Sequence, residues 1–281
     1  MAEGLVGVST FHNRTRRTAS IPRRLLREGK LHLLPVYYLG LTSELGREAI
    51  ENSGSYDFAD HIYGNRPAGR FLIGYLLDAV FLNLKSARAL RSRYRYARRE
   101  IQRVILERGD PIDVLAVPCG LARELFEVSA WLTDEHPNRQ VRLFGMDLDQ
   151  ELVMRLASTS RQLGLAMEFL CGDALFADAY PARPFDGIVS LGFTEFLDDS
   201  LATAFYRLAY SKLKPGGRFI TSGMRPHGLS DYLLRNVADL RTSYRSPETL
   251  RGLARQAGFE PISTYEDRTG LQTMLIGAKQ A

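Results

Sequence analysis

The stretch IDVLAVPCGLAREL, Ile112 to Leu125, runs mostly apolar, stops at Pro118-Cys119-Gly120 and resumes with helical spacing. A strand that turns sharply into a helix points the helix's first N–H groups past the strand's carboxyl end, where a polar ligand can meet them. Two of the three positions where a nucleotide-binding turn usually carries glycine hold Pro118 and Ala122. Gly120 remains, and its missing side chain lets a ligand approach the backbone closely. The turn alone fits a nucleotide cradle or a strand that merely ends at a proline, so the flanking sequence decides.

Downstream of Gly109-Asp110-Pro111, β-rich runs alternate with helical ones. After IDVLAVP and a helix through Trp131 come VRLFGMD, a helix through Leu163, AMEFLCGD, FDGIVSLG, a helix near Leu201–Leu213 and GRFITSGM. KPGGR, before the last of these, reads as a plain turn. Helical stretches over Gly228–Leu240 and Pro247–Ala257 precede FEPISTYEDR and QTMLIGAKQ, which have no helix between them. This alternation predicts a mostly parallel sheet wound on both faces and closed by an antiparallel pair.

Up to Arg108, apolar residues recur at helical spacing instead. TSELGREAIENSG predicts a helix with Thr42 or Ser43 as N-cap and Gly54 as its end. SYDFADHIYGNRPAGR, rich in aromatics and breakers, predicts a loop or a short turn of helix. One or two helices follow from Gly69 to Leu106. In the last, Leu90, Tyr94, Ala97, Ile101 and Ile105 share one side, opposite Arg88, Arg91, Arg95, Arg99 and Arg103. Charge shifts at the same place: net +9 for residues 1–108 and −4 for 109–281. The expected organisation is a helical, substrate-covering cap over 1–108 and a cofactor-binding sheet domain over 109–281.

With 45% apolar and 25% charged residues, the composition is that of an ordinary globular chain. The longest apolar run, around Phe71–Leu84, is broken by Asp78 and Asn83 and falls short of a membrane span. No secretory signal core opens the sequence, and two cysteines make no disulfide framework. A cytoplasmic protein is expected, not integral to a membrane, and a homodimer is compatible with the sequence. No Asp/Glu/His cluster has metal-ligand spacing.

In wound sheets, ligands lie beyond the carboxyl ends of the strands. Those ends hold Pro118–Ala122, Asp147, Gly172–Asp173, Gly192–Glu195 and Met224–His227. Asp147, 27 positions after Gly120, can accept hydrogen bonds from both hydroxyls of a ribose, and Asp173 can receive an adenine amino group.

In this order of runs, with the antiparallel finish and these strand-end residues, the region Asp110–Lys279 resembles the class I S-adenosylmethionine-dependent methyltransferases, with the Pro-Cys-Gly variant of their cofactor turn. The resemblance implies a Rossmann-like, seven-stranded, mostly parallel sheet, with S-adenosyl-L-methionine as cofactor. It places the methionine end on the backbone of Pro118, Cys119 and Gly120, ribose on Asp147 and adenine on Asp173, with Arg123 near the cofactor carboxylate. Leu148, Gly172, Ala174, Gly192 and Tyr56 complete the expected cofactor set. SYDFADHIYGNRPAGR, VSLGFTEFL, RPHG and SPETLRGLARQAGF are also similar to a group of methyltransferase-like proteins, some fused to α/β-hydrolase domains; that similarity assigns no substrate. One departure matters: most relatives have an acid where Ala116 stands, and it helps hold the cofactor's ammonium group. Its place would fall to the N-terminal segment or, less well, to Asp113.

Tyr56 and Tyr63 resemble a "YD…A…Y" segment that folds over the cofactor in many small-molecule methyltransferases, although both could equally pack the cap. An aromatic face beside a sulfonium contributes ~1 kcal/mol or more once desolvated. Glu195 and His227 are candidates to take a proton from an acceptor, each with a plain loop role as its alternative; His61 reads as packing or solvated. The arginine stripe invites nucleic acid but reads more simply as the wet side of a helix. The cluster NRTRRTASIPRRLLREGK could meet a phosphate, an acidic carrier domain or an anionic lipid surface. Three functions follow: methyl transfer to a small-molecule or lipid-like acceptor; aminocarboxypropyl transfer, or closure of azetidine-2-carboxylate with release of methylthioadenosine; and RNA binding or RNA methylation.

Overall fold

All five residues of β1 (Ile112–Ala116) are buried, as a strand at the centre of a parallel sheet requires. The computed structural model to which it belongs describes residues 21–52 and 54–280. β1 is flanked by β2 (Val141–Asp147) and β4 (Phe185–Ser190), both parallel to it, with Val114 opposite Leu143 on one side and Gly187 on the other. β3 (Met167–Cys171) extends one edge, and β5 (Leu213–Met224), β7 (Gln272–Ala278) and β6 (Ile262–Glu266) extend the other, giving the order 3-2-1-4-5-7-6. β7 alone runs antiparallel, wedged between β5 and β6. This is the Rossmann-like class I methyltransferase topology, and its strand order reverses between β1 and β4.

The connecting helices fall where apolar periodicity predicts them: α7 (Arg123–Glu135), α8 (Gln150–Gln162), α9 (Asp199–Lys212), α10 (Gly228–Val237) and α11 (Pro247–Gln256). Asp149, Asp198 and Ser246 cap α8, α9 and α11 by accepting backbone N–H bonds. An aromatic seam welds α9 to the sheet: Tyr206 and Phe219 lie 5.0 Å apart edge to face, and Phe219 stacks on Phe259 at 5.4 Å. Each buried phenyl ring contributes roughly 1.5–3 kcal/mol. KPGGR is no plain turn but part of β5. Phe185 pairs with Leu213 and Gly187 with Arg218, so the strand bulges across Lys214–Gly217, and Gly216 supplies the φ of +71°.

The chain divides into two compact units: 1–91 with 226–242, and 92–225 with 243–281. The expected change of character at residue 108 is the end of helix α6 (Lys85–Glu107), whereas the division of the chain into units falls between Arg91 and Ser92 of that helix.

The first unit contains α1 (Ile21–Arg27), α2 (Leu33–Gly40), α3 (Glu44–Glu51), α4 (Tyr56–Gly64), α5 (Phe71–Asn83), the start of α6, and α10. Ser43 caps α3, which ends at Glu51, before Gly54. The segment expected as a loop or short turn is helix α4, started by the Ser55 hydroxyl, which accepts the Phe58 N–H at 3.1 Å, and stopped by left-handed Asn65. Ile21, Leu25, Leu33, Tyr37 and Ile50 form a core with Val237. Arg24 to Asp239 at 2.6 Å and Ser86 to Ser230 at 3.0 Å tie the sequence-distant piece in.

Candidate functional site

At the carboxyl end of β1 the backbone turns through two left-handed residues, Gly120 at φ +48° and Ala122 at φ +50°. Glycine takes that conformation without strain, whereas for alanine it costs ~1–2 kcal/mol. The turn is pinned from β2: Cys119 N–H donates to the Met146 carbonyl at 2.8 Å, and Gly120 N–H to the Asp147 carboxylate at 2.9 Å. The same carboxylate accepts the Asp149 N–H at 3.2 Å, and the Asp147 carbonyl accepts the Gly172 N–H at 2.9 Å. Pro118–Gly120, Asp147 and Gly172 are thus joined by hydrogen bonds along adjacent strand ends. Asp173 accepts the Leu175 N–H at 2.9 Å, and the Ala174 carbonyl accepts the Tyr180 hydroxyl at 2.7 Å. Gly172 has no room for a side chain: a Cβ would lie 2.9 Å from that of Ala179.

Around this row, Leu148 and Phe176 expose apolar side chains. Cys119 is buried, and burial raises its thiol pKa, as do Asp147 and Glu124. Arg123 opens α7, whose N-cap Ala122 provides no side-chain cap. The donors and acceptors suit a nucleoside with a carboxylate-bearing tail: N–H groups and Arg123 for the anion, carboxylates for hydroxyls and an amino group. Ala116 is fully buried. Asp113 lies at the amino end of β1, where it pairs with Arg142 at 2.6 Å and Lys214 at 3.4 Å.

Two acids escaped or changed their expected place. Glu124, in the first turn of α7, is buried, and desolvation raises its pKa to about 7 against the opposing pull of its own backbone N–H and Arg93. Its sequence signal, an acid in a helix's first turn, is too common to single it out. Glu195 does not stand at an open rim; it is buried and paired with buried Arg93 at 3.2 Å. Burial raises its pKa, outweighing Arg93, Gln272 and Arg245. A Cβ on Gly192 would lie 2.7 Å from the Arg93 guanidinium, so that glycine makes room for the pair. Nearby, Arg245 holds the carbonyls of Thr194 and Leu197 at 2.5 and 2.7 Å. The hydroxyls of Ser190 and Ser222, buried at the ends of β4 and β5, have no hydrogen-bond partner among the described residues.

Tyr56, Tyr63, His61 and His227 belong to the first unit. Tyr56 opens α4, and Tyr63 packs against the cluster of Leu45, Ile62, Leu82 and Ala87. His61 Nε2 lies 3.2 Å from buried Asp78 and 3.1 Å from the Arg66 carbonyl. His227, at the N-cap of α10, places Nδ1 3.2 Å from the Ser230 hydroxyl. In the arginine stripe, Arg103 pairs with Glu107 at 2.7 Å, and neighbouring Arg98 with Glu127 at 2.5 Å. The basic N-terminal cluster lies outside the described residues as far as residue 20.

A wound sheet of this order, with a turn, an acid and a Gly-Asp at successive strand ends, has the donors and acceptors that suit a nucleoside cofactor. Residues 114–217 match the family model described as "Methyltransferase domain". That stretch is thus similar to methyltransferase domains, and the chain shares the fold of S-adenosylmethionine-dependent methyltransferases. Among solved structures, it is similar to a possible exported protein from Bordetella parapertussis (TM-score 0.79, 21% identity, 98% of this chain and 97% of that one). It also resembles magnesium protoporphyrin IX methyltransferase from Synechocystis PCC 6803 with bound S-adenosylhomocysteine (TM-score 0.53, 12% identity, 79% and 93%). The [4+2]-cyclase SpnF shares the fold as well (TM-score 0.50, 18% identity, 67% and 81%). The uncharacterized protein YnbC of Escherichia coli is 23% identical over 257 residues, 84% of this chain. The chain spans only 42% of that relative's length.

Proposed function

We propose that the protein methylates a small-molecule or lipid-like acceptor, with the cofactor held by Pro118–Gly120, Arg123, Asp147, Leu148, Gly172–Ala174 and Gly192. The observation that carries this reading is the bond from Gly120 N–H to Asp147, which joins the turn of β1 to the acid of β2. When bound, S-adenosyl-L-methionine supplies a methyl group activated by a good thioether leaving group. The protein's task is therefore alignment and water exclusion. The α7 N-terminus and Arg123 favour the cofactor's carboxylate. The Asp147 carboxylate, at the carboxyl end of β2, suits a ribose diol. Leu148 and exposed Phe176 offer apolar surface to an adenine face.

Ala116 favours a second reading. With no acid there, and with Asp113 engaged at the opposite end of the strand, the ammonium group is held differently from that of most relatives. Such a site suits aminocarboxypropyl transfer or ring closure. Incubation with the cofactor alone separates the two: S-adenosylhomocysteine formed only when an acceptor is added supports methylation, and methylthioadenosine formed without one supports ring closure. If equilibrium dialysis at millimolar concentration detects no uptake of the cofactor or either product, both readings fail.

Tyr63, His227 and Glu195 remain proposed acceptor-side groups, and Glu195 would first have to leave Arg93. With an acceptor in hand, His227→Ala lowers kcat about a hundredfold if His227 is the base, at unchanged S-adenosylhomocysteine affinity. An unchanged kcat removes it from the mechanism.

A further inference from the structure

Helix α5 (FLIGYLLDAVFLN) is apolar on nearly every side, including the side that faces solvent. Its inward face carries Gly74, Asp78 and Leu82, all buried. Asp78 is the only acid between His61 and Arg91. Its carboxylate accepts the Ser43 hydroxyl and the N–H groups of Leu45 and Ala68 at 3.0 and 2.9 Å. The outward face is apolar: Leu72 is 75% exposed, and Ile73, Tyr75, Leu76 and Val80 are each about half exposed. Soluble surfaces seldom leave such a face uncovered.

The face is held rigidly. A Cβ on Gly74 would lie 2.2 Å from the Thr42 carbonyl, which accepts the Arg70 N–H at 2.8 Å. This close packing sets the turn that displays Phe71, a bulky residue at φ +54° and 84% exposed. A left-handed phenylalanine is a strained conformation that surrounding structure must enforce. Exposed cations flank the helix, Arg66 and Arg70 before it and Lys85 and Arg88 after it.

We propose that α5 docks on an anionic lipid surface, with its apolar face in the headgroup boundary and these four cations on lipid phosphates. Its 13 residues are too few to cross a bilayer, which takes about 20, and no helix among the described residues is long and apolar enough to do so. Membrane-surface binding grows with the apolar area buried and with the attraction of basic groups to anionic lipid, and α5 offers exposed apolar area between basic flanks. A second copy fits less well. Antiparallel pairing across a two-fold axis would bring Arg66 and Arg70 of one α5 against Lys85 and Arg88 of the other, whereas anionic headgroups neutralise all four.

Flotation of the full chain with vesicles of phosphatidylcholine, with or without about 30% phosphatidylglycerol, tests this at low and moderate salt. We expect at least tenfold more protein on the anionic vesicles, declining as salt rises. Leu76→Glu and Leu72→Glu each reduce binding tenfold or more, at unchanged S-adenosylhomocysteine affinity and elution volume. Absence of binding, equal binding to both vesicles, or variants that bind like the parent overturns the proposal. So does a dimer in gel filtration that Leu76→Glu splits, which would assign the face to a second copy. The proposal is independent of the cofactor reading, which the dialysis experiment tests.

Discussion

Because the carboxylate that closes β2 accepts N–H bonds from Gly120 and Asp149, replacing it disturbs the turn as well as a ligand. Asp147→Ala should weaken S-adenosylhomocysteine binding by ~1–3 kcal/mol, the scale of lost charge-assisted bonds. Asp147→Asn, which keeps one acceptor oxygen, should lose less. Calorimetry showing equal affinity for all three proteins would take Asp147 out of the site. Glu124 gives a pH signature. Its pKa rises from 4.5 to about 7 in the fold, so its stabilising contribution is complete below about pH 4.5 and is lost as pH rises through 7. The swing is on the order of 3 kcal/mol. Glu124→Gln should therefore raise Tm relative to the parent at pH 8 much more than at pH 5; parallel Tm curves would refute the assignment. Asp147 and Gly120 are legible in the sequence because strand ends follow from the hydrophobic pattern. The burial of Glu124 and Arg93 is not, because it depends on which helix covers which turn.

At the scale of elements, most of the sheet was legible: the seven runs alternate clearly with helices, and the final pair lacks a crossover. Helix α4 was hidden because Tyr, Asp, His and Gly resemble breakers, yet Ser55 and Asp57 form a proper helix start. Ser55→Ala should cost about 1 kcal/mol by urea unfolding, the usual loss of an N-cap. The bulge in β5 was hidden because Pro-Gly-Gly signals a turn, and a bulge uses the same residues. The Arg93–Glu195 pair fastens α6 to the turn after β4. Arg93→Met should cost up to ~3–5 kcal/mol by removing the ion-pair partner of a buried carboxylate, with Gln272 and Arg245 left as its support. The double variant with Glu195→Gln should cost less than the two single losses added together; strict additivity would show that the pair is not coupled.

Across the whole molecule, contacts cut the chain differently from composition. Residues 226–242 follow β5 in sequence but join the first unit through Arg24–Asp239 and the shared core at Val237. Periodicity identifies α10 as a helix without indicating its partners, because long-range pairing leaves no local trace. The buried hydroxyls of Ser190 and Ser222 are a second feature without a sequence signal. Unpaired buried polar groups are costly, so a high-resolution crystal structure should show ordered water bonded to one or both. A dry, close-packed site there would contradict that.

The position of β7 between β5 and β6 has a consequence for biosynthesis. The sheet cannot close until Gln272–Ala278 have left the ribosome. Until then β5 presents an unsatisfied edge and β6 has no neighbour, a state open to chaperones and proteases. A nascent chain stalled before Gln272 should be cleaved readily, and release of a few more residues should confer resistance.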